Sequence, residues 1–154
     1  MHGSATVNMA ATPERIWELV SDVTRIGEFS PETFEAVWID GATGPEVGAK
    51  FRGHVKRNER GPTYWTTCTV VDCEPGRKFA FGVGNSDVPL NVWRYRLKPG
   101  PDGTTDVTES FELIDKFGMR LYWLMLGWAR GKRNVTDMRR TLERVKAVVE
   151  AEPS

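Results

Sequence analysis

Apolar residues are spaced in three different ways along the chain. From Phe34 to Leu113, runs rich in Val, Thr, Phe, Tyr and Trp alternate in part with polar residues, the period-two signature of half-buried strands. Breaks at Asp40-Gly41 through Val47-Gly48, Arg60-Gly61-Pro62, Pro75-Gly76, Gly84 to Asp87 and Pro99 to Gly103 cut this stretch into six strands. Connections this short favour antiparallel neighbours. Beyond it, Leu121, Leu124, Trp128, Val135, Met138, Leu142, Val145 and Val149 recur at three- and four-residue spacing. That period predicts a long amphipathic helix over 134–150, weaker upstream where Gly127 and Gly131 intervene. Ahead of the strands, residues 6–10 read as a short first strand. Thr12-Pro13-Glu14-Arg15 then reads as a helix start, with Thr as the cap and Pro at the first position. Ile16, Trp17, Leu19 and Val20 give this short helix its apolar face. Ser21-Asp22 opens a second turn through Ile26 to Phe29, and Ser30-Pro31 stops it.

The order is strand, two short helices, six strands, long helix. It predicts an α+β fold in which a curved antiparallel sheet of about seven strands grips the C-terminal helix. One helix cannot fill the concave side of such a sheet, so a cavity between them is expected. No repeat or linker divides residues 1–154, and one domain is expected.

Charge narrows the partners. The 21 Lys and Arg balance 21 Asp and Glu, so no global positive field draws in nucleic acid. Cys68 and Cys73 fall an odd number of residues apart in one expected strand, which points them to opposite faces and argues against a mutual disulfide. The N-terminus lacks the basic and apolar regions of a secretion signal, and a cytoplasmic location is expected. The most apolar stretch, 117–128, carries Arg120 and two glycines and is too short to span a bilayer as a helix. It reads as a pocket lid, a homodimer surface, a membrane-touching edge, or simply the start of the buried helix.

Several segments together resemble a known superfamily. They are Thr12 to Trp17 with Ser21-Asp22, Gly48 to Gly53, Tyr64 to Thr67, Glu74 to Phe79, Trp93-Arg94-Tyr95, and Gly103-Thr104 leading to Val107 to Ser110. In these the chain is similar to the START-like, or SRPBCC, helix-grip proteins, and within them to bacterial polyketide cyclase/dehydrase-like proteins. The resemblance covers nearly the whole chain and implies the fold. Aromatase/cyclases, lipid and quinone carriers and hormone receptors share it, so it does not choose a chemistry.

Strand alternation sorts side chains by face. Trp93, Tyr95 and Leu97 share one face of their strand, with Arg94 and Arg96 on the other; Val107, Glu109, Phe111 and Leu113 share a face of the next. A register that joins the two apolar faces turns Glu109 inward among Trp93, Tyr95 and Phe111. There an unpartnered carboxylate is desolvated and becomes a candidate acid, base or ligand acceptor. A second register pairs Arg94 with Glu109 as a cross-strand salt bridge. An inward Arg94 beside Glu109 would instead polarise a ligand carbonyl. The same alternation sends Phe51 and Val55, then Trp65, Thr67, Thr69 and Val71, then Phe79, Phe81 and Val83 to the interior, with Val135 and Met138 from the helix. The expected ligand-binding set is therefore Phe51, Trp65, Thr67, Phe81, Trp93, Tyr95, Glu109, Phe111, Val135 and Met138. The catalytic candidates are Glu109, Tyr95 and Arg94. The same residue types also fill ordinary cores.

His54 alternates with Arg52 and Lys56, so it faces outward, with no Cys, Asp or His at metal-ligand spacing. No phosphate-cradling loop and no GxSxG occur, and no metal or cofactor is expected. Three readings follow. The first is binding of a small hydrophobic molecule such as a lipid, isoprenoid or aromatic polyketide. The second is a cyclase or dehydratase using Glu109 and Tyr95 as acid and base, and the third a homodimeric interaction protein joined through 117–128. A thin polar set in a credible chamber favours binding.

Overall fold

In the computed structural model, seven strands form one antiparallel sheet. They are β1 (His2–Met9), β2 (Thr33–Ile39), β3 (Lys50–Val55), β4 (Tyr64–Glu74), β5 (Lys78–Val83), β6 (Asn91–Pro99) and β7 (Thr105–Leu113). The structure describes residues 2–56, 62–84, 89–114 and 119–152, the side chains of 2 and 119–134 excepted. Strands β2 to β7 run as a meander, and β1 pairs with β7 at the far edge, giving the order β1-β7-β6-β5-β4-β3-β2. The chain must therefore cross from one edge of the sheet to the other after β1. Helix α1 (Pro13–Ser21) and a 3₁₀ turn (Val23–Glu28) make that crossing.

Local chemistry begins each of these pieces where the sequence placed them. Thr12 accepts from the Arg15 amide through its Oγ1 at 3.4 Å, and Asp22 accepts from the Thr24 amide at 3.1 Å. Ile16, Leu19 and Val20 bury the inner face of α1, and the Trp17 indole donates to the Lys78 carbonyl at 3.0 Å, tying α1 to β5. Gly27 is needed where the 3₁₀ turn meets β2, because a Cβ there would collide with the Phe34 carbonyl oxygen. β1 starts at His2, earlier than expected. Its first residues are held by the ladder to β7, His2 opposite Glu112 and Gly3 opposite Phe111, and not by an apolar pattern.

The long helix α2 (Met119–Ala151) runs through Gly127 and Gly131. It lies chiefly on β1 and also touches β7, α1 and the 3₁₀ turn. Met138, Leu142, Val145 and Val149 form its buried stripe, each at most 1 % exposed. Burial of such a side chain contributes roughly 1.5–3 kcal/mol, which is why one face is enough to dock the helix. At its C-terminal end the Arg15 guanidinium donates to the carbonyls of Val149 at 3.2 Å and Glu152 at 2.8 Å, satisfying orphan acceptors of the last turn. The lid, dimer and membrane-edge readings of 117–128 fall outside the described residues and side chains. Among the described residues no helix is long and apolar enough to cross a membrane.

One expectation about the sheet fails. A bulge between Val70 and Asp72 shifts the β4–β5 register and reverses side-chain parity along β4. Before the bulge Thr66, Cys68 and Val70 lie on the inner face; after it Cys73 does. Cys68 and Cys73 thus share the inner face, contrary to strict alternation. Both are free, since five residues of strand separate them by roughly 16 Å.

Candidate functional site

A cavity of about 190 Å³ lies between the concave face of the sheet and α2. Phe51 and Phe81 meet edge to face at 5.2 Å and form one wall, with Trp38 behind Phe51 at 5.7 Å. Trp93 continues that wall as the cross-strand neighbour of Phe81, and Phe111 backs it at 4.8 Å. The floor is Tyr95 and Glu109; Asp137, Met138 and Thr141 of α2 close the top. Ser30 to Thr33, Gly53, Val55, Tyr64 and Thr66 line the remaining side.

The β6–β7 register decides the orientation that the sequence left open. Tyr95 lies directly opposite Glu109 and Trp93 opposite Phe111, whereas Arg94 pairs with Ser110. Glu109 is 4 % exposed and points into the cavity. Burial holds its carboxyl well above the ordinary carboxylate range, the nearby Asp137 charge adds to the rise, and the Tyr95 hydroxyl that donates to it opposes the rise. Tyr95 is pushed up as well, first by burial and then by the Glu109 charge and hydrogen bond. Glu109 Oε2 and Asn91 Oδ1, both on lining residues, are buried acceptors without a partner among the described residues.

Of the expected ligand-binding residues, the structure brings Phe51, Phe81, Trp93, Tyr95, Glu109 and Met138 together around the cavity. Phe111 is in the core behind Trp93, not at the surface of the space. Val135 is 36 % exposed and does not line the cavity. Trp65 and Thr67 do not either, because β4 turns Thr66 and Cys68 inward in their place. Trp65 stacks on His54 at 4.2 Å on the outer face, and the Arg52 guanidinium lies 5.2 Å from its ring. That cluster accounts for an aromatic residue 42 % exposed in mid-strand. Val71, expected inside, is 40 % exposed at the bulge. Arg94 lies on the outer face between Ala80 and Ser110, so an inward Arg94 beside Glu109 does not occur.

Sequence reasoning missed Asp137, Thr141, Thr66, Cys68 and Asn91. The signal for Asp137 and Thr141 was present in their position: each lies next to a stripe residue, Met138 or Leu142, on the edge of the buried face. Among the described residues no group of three or more His, Cys, Asp or Glu could hold a metal.

Cys68 gives a first test of the inner face. Burial pushes its thiol up to about 12, against a weaker lowering by the Thr66 hydroxyl 3.9 Å away. At pH 8 its thiolate is then roughly one part in ten thousand. A thiol reagent on the native protein is expected to leave Cys68 unmodified in peptide mapping and to reach it only after unfolding. Labelling of native Cys68 as fast as an exposed thiol would contradict its place on the inner face of β4.

A curved antiparallel sheet closed over a C-terminal helix, with an apolar cavity between them, defines a helix-grip protein. The chain belongs to the family described as polyketide cyclase / dehydrase and lipid transport, whose model matches residues 2–150. Among solved structures it is similar to the Polyketide_cyc-like protein Cgl2372 of Corynebacterium glutamicum. The identity is 32 %, covering 97 % of this chain and 91 % of that one, with a TM-score of 0.65. NE0264 of Nitrosomonas europaea shares the fold at 13 % identity and a TM-score of 0.68, over 97 % of this chain and 94 % of its own. The di-domain ARO/CYC StfQ of the steffimycin biosynthetic pathway shares it at 13 % identity and a TM-score of 0.65, over 96 % of this chain and 44 % of its own. No protein of curated function matches the chain.

Proposed function

We propose that the protein binds a small hydrophobic molecule, of the lipid, isoprenoid or aromatic polyketide kind, in the cavity between the sheet and α2. The observation that carries this reading is the cavity itself: Phe51, Phe81 and Trp93 line it beside a buried polar pair, Tyr95 and Glu109. Apolar walls with a few convergent polar groups are the usual make-up of a ligand site. The family's description, which includes lipid transport, agrees with it. An engineered cavity of about 150 Å³ holds benzene. At about 190 Å³ this one accepts a single ring or a short chain segment, and a longer ligand extends through the mouth.

A blocking variant tests the reading. Gly53 lines the cavity, and a Cβ there would lie 3.2 Å from Thr33 Cγ2 and 3.5 Å from Thr66 Oγ1. Titration with a panel of alkyl, isoprenoid and aromatic probes is expected to give binding to the native protein. In Gly53→Leu that binding weakens by about tenfold or more, since one excluded ring or chain segment is worth more than about 1.4 kcal/mol. If the panel fails to bind, or binds the blocked variant equally well, the cavity is not the site.

Acid/base catalysis of the cyclase or dehydratase type is the second reading. It is favoured by one observation, a carboxyl held above its ordinary range beside a tyrosine hydroxyl. Arg94 on the outer face leaves this reading without the cation that would polarise a carbonyl.

A further inference from the structure

The titratable carboxyl groups around the cavity have no basic counterpart. Glu32, Glu109 and Asp137 line it, and no Lys, Arg or His does among the described residues. The groups that face Glu109 do not change this. β6 presents the Tyr95 hydroxyl, α2 presents Asp137, and β1 presents Ala5 opposite it in the ladder. No ion pair involves Asp137 among the described residues. Three carboxylates alone would say little, since acidic clusters are often only solvated surface. Here a second observation points to an occupant. Glu109 is 4 % exposed on the wall of the space, and its Oε2 is buried there with no partner among the described residues. The other orphaned atom on a lining residue, Asn91 Oδ1, is also an acceptor. A buried acceptor left unpaired is costly, and the site offers two.

What satisfies such a site is a donor carrying positive charge. The walls supply the rest of the complementarity, because the faces of Trp93, Phe81 and Phe51 attract a cation as well as an apolar body. Size sets the scale at one ring and a short side chain. Resting on the reading of this cavity as a ligand site, we infer that its ligand is a small hydrophobic amine. The apolar part sits between Phe51, Phe81 and Trp93, and the ammonium donates to Glu109 Oε2 and Asp137. An apolar or carboxylate ligand of the same shape leaves the acceptors unpaired, and the carboxylate also meets like charge.

Three probes of one shape separate these cases: 2-phenylethylamine, n-propylbenzene and 3-phenylpropionate, titrated calorimetrically at pH 8 and low salt. A charge-assisted hydrogen bond in a dry site gives about tenfold or more. The amine is therefore expected to bind at least that much more tightly than n-propylbenzene, with 3-phenylpropionate weakest. In Glu109→Gln the ratio of amine to n-propylbenzene affinity falls towards one, and in Asp137→Asn it falls partway. If the Glu109 variant does not fold, the Asp137 variant carries the comparison. Equal or tighter binding of n-propylbenzene or 3-phenylpropionate by the native protein overturns the amine inference and leaves the cavity reading standing. So does a ratio that neither variant moves. Should neither these probes nor the wider apolar panel bind, both fall together.

Discussion

Glu109→Gln is expected to make the protein more stable at pH 8 and to leave it about equally stable at pH 4. Folding holds the Glu109 carboxyl well above its ordinary value of 4.5, chiefly through burial. Between 4.5 and that raised value the folded chain keeps a proton that the unfolded chain has lost. The unfolded state then binds fewer protons, so stability falls as pH rises, by about 1.4 kcal/mol for each pH unit in the window. Below 4.5 both states are protonated and the contribution vanishes. Glutamine has no proton to lose and fills nearly the same volume, so its advantage is zero in acid and grows through the window. Urea unfolding of both proteins from pH 4 to pH 8 reads this directly. Parallel stability curves would sink the assignment of a buried, proton-retaining Glu109.

The largest loss is expected from Phe51→Ala, at about 3–5 kcal/mol, the range for deleting a buried aromatic ring. Phe51 is 1 % exposed and is packed between Trp38 and Phe81. The deletion also opens the cavity wall, so two-ring probes should gain affinity relative to one-ring probes. Trp65→Ala removes a larger side chain, yet its expected cost is about 1 kcal/mol or less. Its ring is 42 % exposed on the outer face, and mainly its stacking on His54 and its contact with Arg52 are lost. Chemical denaturation of the two variants checks the pair. A Trp65 loss equal to that of Phe51 would place Trp65 in the core, as simple alternation had it.

That pair also marks how far the sequence could be read. Phe51, Phe81, Trp93, Tyr95 and Glu109 were assigned to the right face because β3, β5, β6 and β7 run without a break in parity through those positions. Residues 64–71 carry no charge on either face, and Asp72 and Glu74 mark the even positions as outer only beyond the bulge. The bulge that reverses their parity exists only in the pairing with β5. Asp137 was missed for a related reason. On an amphipathic helix an acid beside the buried stripe reads as solvent-facing until the concave sheet is placed beneath it.

The sheet gripping the helix, with a cavity between, was thus legible in local terms. Caps at Thr12 and Asp22, breaks between strands, and the stripe Met138, Leu142, Val145 and Val149 are properties of neighbouring residues, and short-range chemistry is enough to set them. Which carboxylates meet, and in whose company, was decided only by tertiary structure. Glu109 faces Tyr95 because of a register between two strands. It faces Asp137 because α2 crosses that register, and it lacks a cation because Arg94 falls on the other side. Side-chain period in a strand is two, so a single residue of register separates a buried acid from a surface ion pair, and only the assembled sheet sets that residue.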